Sequence, residues 1–360
     1  MSAPARRSAV TPTAPVVPAS VRERVARGRV NRARARVVAV AVLALIAASL
    51  FAVALMVGQT FYGASEVLRV VLGQTVPGAS FTVGELRLPR SVLAVLAGAA
   101  FALAGVTFQT MLRNPLASPD IIGISSGASA AAVFGIVTFG LSGATLSIVA
   151  IVAALATALL IYGLSYSGGV AGTRLILIGI GISSMLHSVV SYQLIKAATW
   201  DLQTAMRWLT GSVNDATWQV VAPLAVALAV LAPVLFGQAR NLTLLQLGDD
   251  TAAALGVSVE RTRLLAIVAA VALVAFATAA AGPIAFVAFL SGPIAARIVR
   301  PGGSLMLPAA FVGALLVLGA DLLGQFAFDA RYPVGVITGA LGAPYLVYLL
   351  VRTNRSGGSL

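Results

Sequence analysis

From residue 37 to about residue 352 the chain is apolar almost throughout, and its rare charges and turn residues recur at intervals close to one membrane-crossing helix. A span needs roughly 20 apolar residues. On that ruler the first falls at about 37–58 and the second at 91–112. The uncharged run from Ile121 to Thr173 is long enough for two, folding back near "FGLSGA" at 139–144. The remaining spans are predicted at 174–195, 216–237, 264–281, 283–299, 306–327 and 334–351. The seventh and eighth are divided only by "AAAGPIAF", where Gly282-Pro283 interrupts the helical run. The pattern predicts an all-α integral membrane protein of about ten transmembrane helices.

Composition agrees with the pattern. Of 360 residues 59% are hydrophobic and 10% charged, with a mean hydropathy of +0.99, where soluble domains carry about 25% charged residues. The charge distribution then orients the spans. Nine arginines fall in residues 1–36 together with Pro4, Pro12, Pro15 and Pro18, which predicts a disordered basic tail touching anionic headgroups, in preference to a nucleic-acid-binding surface. The apolar run that follows is longer than the ~7–15 residues of a signal-peptide core and reads as a retained anchor. With that tail in the cytoplasm, an even count of spans returns residues 353–360 to the same side. Eighteen of the 24 basic residues then lie inside, as the positive-inside rule requires. Arg69, Arg87, Arg90, Lys196, Arg207 and Arg331 lie outside, nearly balanced by Glu66, Glu85, Asp201, Asp215 and Asp329.

Candidate chemistry is sparse. Cysteine is absent and His187 is the single histidine, so thiolate and multi-histidine metal sites are excluded within one chain. The one lysine, Lys196, stands in "LIKAAT", which is no phosphate-binding loop. Asp321 and His187 are the ionisable groups that fall well inside spans. Asp321 reads as a hydrogen-bond partner in helix packing or as a substrate ligand, and His187 as a satisfied buried imidazole. A carrier coupled to protons or ions usually keeps more charge near its midplane. Transport by this chain therefore needs energy from elsewhere, and a secondary carrier working alone is the runner-up. Small residues in the second span, among them Gly98, Ala102 and Gly105, suit close helix packing. Between the sixth and seventh spans, "LLQLGDDTAAALGVSVERTR" (244–263) predicts a short cytoplasmic helix from about Asp249 to Leu255, stopped by Gly256. It can be a docking knob for another protein or an ordinary connecting loop.

Several long segments in a fixed order carry a resemblance. "ELRLPRSVLAVLAGAAFALAGVTFQTMLRNPLASPDIIGISSGASAA" (85–132), "TRLILIGIGIS" (173–183), "MRWLTGSVNDATW" (206–218), "LGDDTAAALGV" (247–257), "AGPIAFVAFLSGPIAARIV" (281–299) and "YPVGVITGALGAPYLVYLL" (332–350) are similar to the FecCD-type permeases. These are the membrane subunits of ABC importers for ferric siderophores, haem and cobalamin. The resemblance covers the chain after residue 36. It departs from the family pattern at Arg331-Tyr332, where an acidic residue often precedes "PVGV", and at "SGPIAARIV", which lacks the usual histidine.

The resemblance implies a ten-helix domain (37–352) of the cobalamin-permease fold in the cytoplasmic membrane. It pairs with a second, non-identical FecCD-type permease, two ATPase subunits that hold ATP and Mg, and an extracytoplasmic siderophore-binding protein. No cofactor or metal is expected on this chain itself, and no catalytic residue. The substrate implied is a ferric siderophore, with cobalamin or haem as alternatives. Arg87 and Arg90, with Arg331, would dock the binding protein. Asn114 and Leu116, with Gly172 and Thr173, would narrow the pathway at its cytoplasmic end. Gly248, Asp249, Ala252, Leu255 and Gly256 would form the loop that couples to the ATPase.

Overall fold

The computed structural model describes residues 19–165, 172–299 and 302–355. Thirteen α-helices run in chain order: α1 (Ala19–Met56), α2 (Ala64–Val71), α3 (Leu88–Met111), α4 (Ile124–Phe139), α5 (Gly143–Ser165), α6 (Gly172–Lys196), α7 (Thr199–Thr210), α8 (Trp218–Leu245), α9 (Asp249–Ala254), α10 (Val259–Ala281), α11 (Val287–Ile298), α12 (Met306–Phe326) and α13 (Val334–Arg355). A π-helical segment, Ser80–Arg87, leads into α3, and a 3₁₀ turn, Pro119–Ile122, leads into α4.

Among the described residues seven helices are long and apolar enough to cross a membrane, and α4, α11 and the apolar part of α13 are shorter ones. Together they match the ten expected spans, including the reversal between α4 and α5. The first departs from expectation at its start. Helix α1 begins at Ala19, so residues 19–36, expected in a disordered tail, continue the span as helix. Once Pro18 is passed, alanine and arginine offer little resistance to a helix already nucleated by the span. Residues 1–18 of the expected tail, and 356–360 of the C-terminal one, lie outside the described residues.

Helix α3 is the spine. About 78% of its most apolar window is buried inside the protein, against 17% for α6. It packs on α12, α10, α11 and α8. Lipid gives no hydrophobic reward for helix association, so contact depends on how near two backbones can come. A β-carbon on Gly98 would strike the backbone of Gly313 in α12, and one on Gly105 would strike the Ala288 carbonyl in α11. Several hydroxyls in the bundle are turned back on their own helix backbone. Thr107 donates to the Leu103 carbonyl at 2.7 Å, Ser165 to Ile161 at 2.6 Å and Ser291 to Val287 at 2.6 Å.

Helix α11 has only 12 residues, about 18 Å at 1.5 Å per residue and too short to cross alone. The segment Gly282–Phe286 before it completes the crossing as irregular chain. Its fixed points are Gly282 against the Trp208 carbonyl, a hydrogen bond from Ser212 to Ala281 at 2.7 Å, and Phe286 at φ 64°. Non-helical backbone at membrane depth is tolerated where it is packed in protein or lines a cavity, and this segment does both.

Gly105→Leu forces side-chain atoms into the α11 backbone and should lower stability by about 1–3 kcal/mol or more. Gly163→Leu, at a position with open space around it, should be near neutral. Thermal unfolding of both variants in detergent checks the difference.

Candidate functional site

A cavity of about 690 Å³ opens between α4, α6, α11 and α13. One wall is polar. The connector from α3 supplies Ser118 and Asp120, and α4 supplies Ser125, Ser126 and Ser129. The opposite wall is apolar, formed by the irregular segment Pro283–Phe286 and by Phe289. Phe286 and Phe289 meet edge to face at 6.3 Å. Leu116 and Leu346 also line the cavity.

Asp120 went unnoticed in the sequence because it falls at the seam between a connector and an apolar run. The signal available was its neighbourhood, "SPDIIGISSGAS" (118–129), which places serines at 125, 126 and 129 on one face of a helix start. Ser125 donates to its carboxylate at 2.6 Å and Ser118 at 3.2 Å. Burial pushes the Asp120 carboxyl above the usual carboxylate range, against the opposing pull of the two hydroxyls. His187 also lines the cavity. It is exposed, not buried as expected, with Nδ1 2.8 Å from the Ser183 carbonyl. Its place inside an apolar run misled because this helix turns much of its surface away from the protein interior. Among the described residues no three His, Cys, Asp or Glu side chains gather in a way that could hold a metal ion.

At the rim, past the end of α3, Pro115 keeps the chain from resuming a helix, and Asn114 accepts a hydrogen bond on Oδ1 from the Leu116 amide at 2.8 Å. Leu116 is thereby held half-buried against the cavity. The other two expected gate residues stand at the start of α6, which begins at Gly172. The turn before them, 166–171, lies outside the described residues, as do the surroundings of the Thr173 side chain.

Helix α9 forms where expected, ending one residue earlier at Ala254. Gly248 at φ 108° and Gly256 at φ 85° flank it in conformations that side chains resist. The Gly256 amide donates to Ala253 at 2.9 Å and the Val257 amide to Ala252 at 3.0 Å, closing the helix with a Schellman cap. The remainder of the 244–263 segment enters the first turn of α10 at Val259. Ala252 is buried, while Ala253, Ala254, Leu255 and Gly256 are exposed, so small and apolar groups form a protruding surface. Asp249 does not stand free. It accepts from Arg113 at 2.6 Å and from Arg263 at 2.8 Å.

At the opposite end of the bundle the two arginines before α3 have partners within this chain. Arg90 meets Asp321 in a fork, with Nη2 at 2.7 Å from one carboxylate oxygen and Nε at 3.0 Å from the other. Gln325 donates to the same carboxylate at 2.8 Å. The pair is largely enclosed, its side chains 17% and 3% exposed. Arg87 donates to the carbonyls of Leu55, Met56 and Thr60 at 2.9, 2.9 and 2.6 Å and lies over the Tyr62 ring. Both arginines, expected to dock a binding protein, are thus engaged within this chain. The π-helical turn aims Arg87 at the end of α1, and Asp321 supplies internally the carboxylate that Arg90 was expected to find outside. Of the three expected docking residues, Arg331 is the exposed one.

Removing one partner of a buried ion pair costs about 3–5 kcal/mol, whereas replacing both with apolar groups can be neutral. Asp321→Leu should therefore destabilise the protein strongly, and Arg90→Leu with Asp321→Leu should recover most of the loss. Thermal unfolding of the single and double variants measures it.

The sequence model of the FecCD transport family matches residues 41–352. The ferric enterobactin transport system permease protein FepG of Escherichia coli (strain K12) is 41% identical over 304 residues, spanning 84% of this chain and 92% of that protein. The achromobactin transport system permease protein CbrC of Dickeya dadantii (strain 3937) is 41% identical over 303 residues, 83% of this chain and 87% of that one. Among solved structures, a metal-chelate type ABC transporter in an inward-facing conformation superposes with a TM-score of 0.78 at 28% identity, covering 87% of this chain and 98% of that chain.

Proposed function

Because the chain belongs to the FecCD transport family and is the membrane permease subunit of an ABC-type iron-siderophore importer, we propose how its parts divide the work. The cavity between α4, α6 and α11 is this subunit's share of the substrate pathway, completed by a second FecCD-type permease. The observation that carries this reading is the broken crossing at Gly282–Phe286. Irregular backbone inside a membrane domain is expensive, and here it walls a space large enough for part of a bulky chelate. Serine hydroxyls on one side and aromatic rings on the other suit a substrate with both polar and apolar faces.

The protruding surface of α9 is the contact for a separate ATPase subunit, which binds and hydrolyses ATP with Mg. That assignment puts the α9 end of the bundle, and both chain termini, in the cytoplasm, in keeping with the arginine count of the loops. The end carrying the start of α3 and the turn before α13 then meets an extracytoplasmic siderophore-binding protein. Arg331 is the principal docking cation there, with Arg87 at its edge, and Arg90 positions the surface from below through Asp321. The cargo is a ferric siderophore; ferric enterobactin and achromobactin, which two relatives are named for, are the first to test.

The whole importer reconstituted in proteoliposomes, with its ATPase, second permease and binding protein, should take up labelled ferric siderophore only when ATP is supplied. Uptake by the purified permease without any ATPase would overturn this division of labour in favour of a secondary carrier.

Two substitutions test its ends. Gly256→Trp places a bulky side chain at a left-handed cap on the ATPase-facing surface. It should abolish ATP-driven uptake and weaken retention of the ATPase while leaving the permease inserted. Arg331→Glu should weaken the binding protein's affinity several-fold at low salt, an effect that fades as salt screens the charge. The doubly apolar Arg90→Leu with Asp321→Leu should leave that affinity within about twofold. Titration of the binding protein onto the complex in nanodiscs reads both.

A further inference from the structure

Helix α3 ends in the same kind of cap as α9, with an arginine where the other has glycine. The Arg113 amide donates to Thr110 at 3.3 Å and the Asn114 amide to Gln109 at 3.1 Å. This places Arg113 in the left-handed region, at φ 53°, as Gly256 is at φ 85°. A side chain is strained in that conformation, so the cap alone would be better served by glycine. Backbone strain of this kind is retained where the side chain has a task.

The side chain of Arg113 spans a corner. Its Nε donates to the Leu245 carbonyl at 2.8 Å, the last residue of α8, and Nη2 donates to Asp249 at 2.6 Å, the first residue of α9. In the other direction its own backbone runs directly into Asn114 and Leu116 at the cavity rim. One turn earlier Gln109 donates to the Phe289 carbonyl at 2.9 Å, on the cavity's apolar wall. A displacement of α9 therefore reaches two sides of the cavity through one residue. Arg263, from the first turns of α10, donates to both oxygens of the Asp249 carboxylate at 2.8 Å and shares Oδ1 with Arg113.

We propose that Arg113 is a positioning residue that joins the α9 loop to the cavity rim, and that its ion pair with Asp249 transmits the loop's movement to Leu116 and Phe289. This inference rests on the reading of α9 as the ATPase contact and adds the joint through which that contact acts.

The test uses the assembled importer in proteoliposomes and follows ATP hydrolysis and siderophore uptake separately. Arg113→Gly relieves the strained backbone while deleting the joint. It should fold with thermal stability within a few degrees of the unaltered protein and retain the ATPase. Uptake per ATP hydrolysed should fall by about tenfold. Arg113→Gln should behave alike, and Arg113→Lys, which keeps a cation opposite Asp249, should return uptake per ATP to within about threefold of the original. Unchanged uptake per ATP in Arg113→Gly overturns the inference, as does a lysine variant no better than glutamine. Loss of the ATPase from Arg113→Gly complexes also overturns it, since the residue would then belong to the docking surface itself. Gly256→Trp separates the two levels. If that change leaves ATPase retention and uptake intact, the α9 assignment fails; if it uncouples transport while Arg113→Gly does not, only the joint fails.

Discussion

The near contact of α3 with α12 and α11 is the constraint on which the rest of the molecule depends. Gly98 against Gly313 and Gly105 against Ala288 let three backbones lie closer than side chains would permit. In a membrane this closeness is the main source of attraction between helices, since lipid tails are as apolar as leucine. The result is a rigid post with neighbours on most of its circumference. Both functional ends of the molecule are attached to it. Arg90 stands in its first turn and Arg113 immediately after its last, so each end is referred to the same rod.

Around that post, the positions of polar atoms decide what is scaffold and what is pathway. The hydroxyls of Thr107, Ser165 and Ser291 return to carbonyls one turn back, which satisfies them without a partner elsewhere. The serines of α4 that line the cavity face a different surface, opposite a chain segment that has given up helical bonding. An unsatisfied backbone group in hydrocarbon costs several kcal/mol, so the break at Gly282–Phe286 persists only because neighbouring segments hold it. Gly211 lies against the Pro283 carbonyl, Gly335 against Thr210, and Gly342 against the Phe286 ring. Glycines from α13 and the loop after α7 thus form the seat for the irregular segment, which in turn forms the apolar wall.

Much of this was legible in the sequence. Ten spans, the reversal at 139–144, the break at Gly282-Pro283 and the short helix after Gly248 all follow from apolar run length and from residues with restricted backbone. These are local signals. What stayed hidden depended on distant partners. Nothing within reach of Arg90 along the chain announces Asp321, 231 residues away, so an arginine fork beside a span read as an outward-facing dock. Asp120 was obscured for a related reason: its burial comes from helices that pack over the connector. His187 failed in the opposite sense, because a residue centred in an apolar run looks buried until the helix that carries it proves peripheral. Helix α1 extends past the expected tail boundary since charge marks where a membrane begins, and a helix does not stop there.

The two arginine–aspartate pairs at the ends of α3 differ in exposure, and the difference suits different duties. Arg90 and Asp321 are 17% and 3% exposed, joined by a two-pronged fork and braced by Gln325. Breaking such a pair leaves a charge where water cannot repair the loss, at about 3–5 kcal/mol, so that end behaves as a fixed surface. Asp249 is 44% exposed, Arg113 41% and Arg263 26%. Exposed pairs contribute about 0.2–1 kcal/mol each, because water competes for both partners. A contact that weak can open and close within the free energy of a conformational step, yet while closed it fixes direction, since one guanidinium grips both the end of α8 and the start of α9. On the proposed division of labour, stiffness at one end of the post and a reversible joint at the other let a stationary docking face be combined with a rim that moves.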